Sequence, residues 1–413
     1  MGNLPPNPVT PSITRESAPT KETVLITTFA DIATKEATPS IPAANISGPP
    51  PPPPPTKPNV RRLAHYLSSY PPHLKSYLIN GFHYGFRLPS SLSSLPKSSY
   101  GNHPSVTNNP SHVSSKLAYE LSLNRIAGPF PSPPFKNFIT SPLGLIPKRN
   151  SPDFRLIHDL SFPHDNSVNS HIDKALTSVY YQTLDDCVSV ILSLGRGALV
   201  AKADLKDAFR IIPIHPVDYR LLGFKWQNKY YYDKCLPMGC SLSCSIFESF
   251  SSSLEWILVN KLSVPHISHI LDDFIFFGPA SSPICSRSLD TFFLLCQSLS
   301  IPVKSEKTVR PATTVVLHGI EVDTVAMSLR LPQDKLQEAR HKVLSLSKRK
   351  SVTLKELQSV LGTLSFACRA IVPGRAFLRR LFALTKGVSS PSFHIRLTRE
   401  ARRDLSALSL IHI

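Results

Sequence analysis

The chain has 413 residues, 41% of them hydrophobic, which supplies length and apolar surface for more than one packed core and excludes a wholly disordered protein. Lys and Arg number 46 against 28 Asp and Glu, and the net charge of +18 favours a polyanionic partner, nucleic acid being the commonest. Seven scattered cysteines exclude a disulfide framework and suit an intracellular setting, cytoplasmic or nuclear. No stretch approaches the roughly 18 uninterrupted apolar residues of a membrane span, so no membrane partner is expected. Met1 is not followed by a signal pattern, and Pro6 stands where an acylation motif at Gly2 wants Ser or Thr.

Residues 1–58 hold 15 prolines, one aromatic residue and four charges of each sign, so they read as a disordered Pro-rich tail that places the whole net charge in 59–413. The run Pro49–Pro55 should be polyproline II, either a stiff spacer or a ligand for an SH3-like or WW-like partner. Apolar residues return between Arg61 and Leu88, where folding should begin. Pro89–Lys116, rich in Ser, Pro and Asn, reads as a long surface loop.

Ala198–Leu205 reads as a strand ending near Asp204. Leu242, Ile246, Phe250, Leu254 and Leu258 recur every four residues, as in a helix packed on a sheet. His266–Phe277 reads as strand, tight turn, strand, with Leu271-Asp272-Asp273 at the turn. These elements argue for an α+β core. Cys235, Cys240 and Cys244 lack zinc spacing and read as small packing residues. In the C-terminal third, Thr353 and Glu356 form a capping box, followed by the stripe Leu354, Leu357, Leu361 and Leu364. Pro373 can open a further helix with Phe377, Leu378, Leu381 and Phe382 turned inward. From Arg340 to Arg403 there are 15 basic residues against two acids, a composition suited to phosphates.

Phosphodiester synthesis by two metal ions needs carboxylates on rigid backbone, and Asp204 at a strand end with Asp272 and Asp273 at a hairpin tip could provide them. A lone Asp-Asp turn is more often a solvated turn, so the argument rests on several motifs in order. These are Ser141-Pro-Leu-Gly-Leu-Ile-Pro-Lys-Arg149, Phe154-Arg-Leu-Ile-His-Asp-Leu-Ser161, Ala203-Asp-Leu-Lys-Asp-Ala-Phe209, Leu236-Pro-Met-Gly-Cys240, Ile270-Leu-Asp-Asp273 and Leu317-His-Gly-Ile320. From about Arg61 to Leu384 the chain resembles reverse transcriptases, in particular those of DIRS-type and Ngaro-type retroelements.

The resemblance implies that Asp204, Asp272 and Asp273 bind two ions, Mg2+ or Mn2+. It places Lys148 and Arg155 on the incoming triphosphate, and Asp207 and Ala208 beside the nucleotide. Phe209 becomes the gate beneath the sugar, and Met238 and Gly239 support the nascent base pair. Lys307 resembles a lysine that protonates departing pyrophosphate, although a plain surface lysine reads nearly as well. Leu317, His318 and Gly319 resemble the primer grip. Ile270 departs from the family's tyrosine, which bears on primer contacts and fidelity. Relatives continue into RNase H and recombinase domains, and the few acids beyond residue 330 form no second metal site.

The implied fold is a right hand with an antiparallel palm sheet: fingers and N-terminal region over 59–197, palm over 198–325, and a helical basic thumb or connection over 326–413. The implied function is RNA-directed DNA synthesis, with an RNA template, a DNA primer and dNTPs as partners, read mostly through backbone contacts. Two alternatives remain open. One is a degenerate or domesticated copy that only binds nucleic acid. The other is an RNA-dependent RNA polymerase, against which the bulky Phe209 argues.

Overall fold

A computed structural model describes residues 58–89, 100–148 and 151–410. The expected tail, apart from Pro58, and its Pro49–Pro55 run lie outside them. The fold is mixed α and β, divided into two compact units: Met1–Tyr180 with Phe209–Phe250, and Tyr181–Ala208 with Ser251–Ile413.

In the first unit, Asn59 opens the helix Val60–Tyr66 by accepting from the Arg62 N–H. The helix Pro72–Tyr84 buries Leu74, Leu78 and Phe82 and stops at Gly85, whose φ of 98° leaves no room for a Cβ beside His215 N. The long loop expected over Pro89–Lys116 is corrected. Its described part folds into the helices Pro104–Thr107 and Pro110–Ser122. Proline is well placed in a first helical turn, where its missing N–H costs nothing, and Val113 and Leu117 stand four apart on one buried face. They share a core with Val106, Leu143, Phe224 and Trp226. Ile126–Phe130, Lys229–Asp233 and Gly223–Trp226 form a three-stranded antiparallel sheet, and Leu143–Pro147 pairs with Phe154–His158 in a hairpin.

The second unit is built on a four-stranded antiparallel sheet in the order Ile267–Ile270, Asp273–Gly278, Leu199–Asp204, Val309–Ala312. Its apolar residues on one side, among them Val200, Ile275 and Phe277, pack with Leu184 and Ile191 of the helix Leu184–Leu194 and with Leu317 and Ile320. The helix Ile284–Leu299 covers the sheet with Phe292, whose ring meets those of Phe274 and Phe276 at 4.8 and 5.4 Å. The helix Ser243–Asn260 has the expected stripe: Ile246, Phe250, Leu254 and Leu258 are all buried.

At the C-terminal end, Thr353 and Glu356 make the expected capping box at the start of the helix Leu354–Ala367, and Glu356 also holds Arg349 at 2.6 Å. The end is not purely helical, since Ser351–Thr353 pairs with His394–Arg396. Pro373 lies in a 3-10 turn, Val372–Gly374, just before the helix Arg375–Ala383. Leu378 and Leu381 are buried and Phe377 packs beside them, but Phe382 is 48% exposed, contrary to expectation. On a 100° helical wheel it falls at the edge of the stripe whose centre Leu378 and Leu381 occupy. All seven cysteines are free thiols; Cys235 and Cys240 are buried, which pushes both up to about 11. No helix among the described residues is long and apolar enough to cross a membrane.

Candidate active site

The second unit brings three carboxylates to one end of its sheet. Asp204 closes the central strand and is paired in register with Asp273, the first residue of the neighbouring strand. The turn between the hairpin strands is tight enough to place Leu271 at a φ of 51°, and the Leu205 N–H donates to the Asp272 carbonyl at 2.9 Å. The hairpin tip is therefore pinned to the end of the central strand through its backbone, which is the rigidity a carboxylate centre needs.

Three ammonium groups stand on these acids. Lys304 Nζ donates to Asp204 Oδ1 at 2.6 Å and lies 3.9 Å from Asp272 Oδ2, Lys307 Nζ donates to Asp204 Oδ2 at 2.8 Å, and Lys202 Nζ is 3.1 Å from Asp273 Oδ2. Burial, and then the negative charge of Asp204 and Asp273, hold the Asp272 carboxyl above the usual carboxylate range, with Lys304 pulling the other way. The hydrogen bond to Asp204 raises Lys307 above its ordinary value. Among the described residues no three His, Cys, Asp or Glu side chains are gathered at metal distance in this lysine-paired arrangement. The donor chemistry nonetheless fits a hard divalent cation: three oxygen ligands on fixed backbone, close enough to repel one another.

Behind the hairpin lies a polar network that no sequence pattern signalled. The Gln182 side-chain carbonyl accepts from Ser268 Oγ and from the His269 N–H at 2.9 Å, and its amide donates to Glu255 Oε1 at 3.4 Å. Glu255 also holds His269 Nδ1, so the strand preceding the Leu271-Asp272-Asp273 turn is fixed by side chains as well as by its ladder. Ile270 is the last residue of that strand and pairs with Asp273. Leu317 ends a strand and pairs with Ile320 across a two-residue hairpin loop, His318 and Gly319, both with positive φ (48° and 78°), the geometry of a type I′ turn. Lys335 donates to the Gly319 carbonyl at 3.0 Å and rests on the Phe366 ring.

Asp207, at a φ of 58°, and Ala208 belong to the same unit. The other expected nucleotide contacts lie in the first unit. Lys148 and Arg155 are exposed on the Leu143–Pro147/Phe154–His158 hairpin. Lys148 is opposite Asp153, which it grips at 2.6 Å, and the two-residue pleat puts Arg155 on that same face. Phe209 is half-buried and meets Phe247 edge-on at 5.7 Å. Met238 is exposed, and its carbonyl accepts from the His158 N–H at 2.9 Å. Gly239 has a φ of 127°, and a Cβ there would fall 1.9 Å from His158 O, so only glycine fits. Asn169, missed in the sequence, clamps this loop: its amide donates to Gly239 O at 2.7 Å and its carbonyl accepts from Ser241 N at 2.9 Å.

The four-stranded sheet thus presents three acids at the end of an inner strand and at the adjoining hairpin. Residues 146–322 match the family model described as reverse transcriptase (RNA-dependent DNA polymerase). The chain is thus similar to the reverse transcriptase domains of retroviral and hepadnaviral proteins. Over 269 residues it is 25% identical to the Gag-Pro-Pol polyprotein of Mason-Pfizer monkey virus, covering 62% of this chain and 14% of that protein. The duck hepatitis B virus Protein P is 26% identical over 235 residues, covering 56% of this chain and 28% of the relative. The Pro-Pol polyprotein of feline foamy virus is 26% identical over 195 residues, 47% of this chain and 16% of the relative. The chain therefore spans only a small part of these relatives. Among solved structures, a foamy viral protease-reverse transcriptase in complex with double-stranded DNA shares the fold at a TM-score of 0.58, with 19% identity, over 88% of this chain and 62% of the other. The same viral protein in complex with an RNA/DNA hybrid gives 0.57 and 18%, over 85% of this chain and 46% of the other.

Proposed function

We propose that the protein is an RNA-directed DNA polymerase that extends a DNA primer on an RNA template with dNTPs. The observation that carries this reading is the convergence of Asp204, Asp272 and Asp273 at the end of the four-stranded sheet, inside the residues that match the reverse transcriptase family model. These three side chains would hold two divalent ions, Mg2+ or Mn2+, which when bound activate the primer 3′-oxygen and steady the triphosphate. The residues themselves do the positioning. Lys148 and Arg155 offer two cations on one hairpin face to the triphosphate, the Met238–Gly239 backbone supports the base pair, and the Leu317–Gly319 turn holds the primer end. Lys307, which donates to Asp204, would give a proton to pyrophosphate. The ordered motifs favour the DIRS-type and Ngaro-type subclass, with fingers over 59–197, palm over 198–325 and thumb beyond. An intracellular site of action agrees with the free thiols, and the Pro49–Pro55 run offers an SH3-like or WW-like partner a ligand. Extension of oligo(dT) on poly(rA) by the purified chain tests the reading; a folded protein that binds the hybrid and adds no nucleotide would instead be a domesticated copy, the alternative that Ile270 favours.

Phe209 decides between sugars. Its ring is half-buried and meets Phe247 edge-on at 5.7 Å, and a deoxyribose would stack on the part that is exposed. Phe209→Val should raise kcat/KM for ribonucleotides relative to deoxynucleotides by about tenfold or more, because the steric bar to a 2′-hydroxyl is removed. A purely structural phenylalanine would cost stability, up to about 3–5 kcal/mol on full truncation, and depress both substrates alike. Single-nucleotide insertion with paired dNTP and rNTP, beside a thermal melt, separates the outcomes. An unchanged ratio in a folded, active variant would favour the RNA-polymerase alternative.

A duplex partner is supported by the basic C-terminal region. Arg375 and Arg379 are both exposed and stand four residues apart on the helix Arg375–Ala383. Arg375→Ala with Arg379→Ala should weaken hybrid binding and reduce the slope of log K against log[salt] by about 1–2, since each phosphate that is no longer neutralised removes about one unit. Fluorescence anisotropy across a salt series measures this, and a slope equal to wild type would return both arginines to solvated surface charge.

A further inference from the structure

The ammonium groups on the carboxylates have no part in the chemistry above except for Lys307, and Lys304 differs from the other two. Its main chain is fastened to the end of the central strand: Val303 bridges to Leu205, Pro302 O accepts from Lys206 N at 2.8 Å, and the Lys304 N–H donates to Asp204 O at 2.8 Å. Only the side chain is left to move. Its Nζ reaches carboxylates from two different elements, Asp204 at 2.6 Å and Asp272 at 3.9 Å, and the side chain is 22% exposed. Among the described residues, Lys307 is ion-paired with Asp204 alone and is 55% exposed, and Lys202 with Asp273 alone. The negative charge of Asp204 acts on Asp272, a positive charge that reaches both offsets their repulsion, and that charge occupies oxygen lone pairs that a divalent cation would also need.

We infer that Lys304 is a built-in counterion for Asp204 and Asp272, which holds the two carboxylates in place while no cation is bound and competes with a divalent cation for their oxygens. It is a positioning residue that sets how tightly the centre takes up its ion. The flexible four-carbon stem of lysine lets the ammonium withdraw while the backbone stays fixed. The role rests on the two-ion reading of the carboxylates.

The test is Mn2+ binding to the full chain, without nucleotide or nucleic acid, followed by the electron paramagnetic resonance signal of free Mn2+. Lys304→Met, which keeps the length and removes the charge, should bind Mn2+ about tenfold tighter than wild type. Lys307→Met should change affinity by less than about threefold, since that side chain is more exposed and spans no pair. Lys304→Arg, which keeps the charge, should bind no tighter than wild type, and Asp272→Asn should lose the site. If Lys304→Met does not fold, Lys304→Gln takes its place. Binding by Lys304→Met at or below the wild-type affinity, or equal tightening in Lys307→Met or Lys304→Arg, overturns the role of Lys304 while loss in Asp272→Asn upholds the metal centre. Equal binding by wild type and Asp272→Asn overturns the metal-centre reading itself.

Discussion

Asp204→Asn and Asp272→Asn should each reduce primer extension at least about a thousandfold, equivalent to roughly 4 kcal/mol of lost transition-state stabilisation. Asparagine keeps the size of the side chain and one oxygen but removes the charge that a cation needs. The two variants should differ in stability. Asp204 is 4% exposed and satisfies two ammonium groups, so its neutralisation leaves Lys304 and Lys307 without their main anion and should lower the melting temperature. Asp272 is held high by burial and by its acidic neighbours, so Asp272→Asn relieves repulsion and should leave the melting temperature unchanged or raised. Hybrid affinity, which comes mainly from phosphate contacts, should be retained in both. Rates within tenfold of wild type in either purified variant would falsify the assignment of these carboxylates.

The largest expected loss of stability lies in the first unit, at Arg210. Its guanidinium, almost entirely buried, holds Asp233 Oδ1 at 2.7 Å and Glu120 Oε2 at 3.0 Å. The other Asp233 oxygen is 2.9 Å from His158 Nδ1, and His158 Nε2 donates to Gly223 O at 3.0 Å. Arg210→Met would leave two buried carboxylates without their cation and should destabilise the unit by about 3–5 kcal/mol, read as a shift in its urea transition. Removing the charges together, as Arg210→Met with Asp233→Asn and Glu120→Gln, should recover much of that loss, because the penalty is for uncompensated charge. A triple variant no more stable than the single one would show that packing, not charge, makes Arg210 important. Burial pushes the Asp233 carboxyl up, but Arg210 and His158 hold it below its ordinary 3.8. Its contribution is therefore complete above about pH 4 and is lost as the pH falls through the lower folded value.

Much of this protein is written in short-range pattern. A strand ending at Asp204, a hairpin turning at Leu271-Asp272-Asp273, a four-residue stripe from Ile246 to Leu258 and a capping box at Thr353 and Glu356 each depend on residues within one or a few turns of chain, and the sequence by itself determines them. The helices within Pro89–Lys116 were hidden because Ser, Asn and Pro serve both loops and first helical turns, and only burial of Val106, Val113 and Leu117 decides between the two. The electrostatics of the site were decided by tertiary structure alone. Lys304 lies 100 residues from Asp204, and Arg210 lies 90 from Glu120. Nothing local marks a lysine or arginine as a partner of a distant acid, since either side chain is by default a solvated surface charge. Gly239 and Asn169 follow the same logic: the glycine is required by the carbonyl of His158, and the asparagine by the backbone of residues 239 and 241, neighbours that only the folded chain supplies.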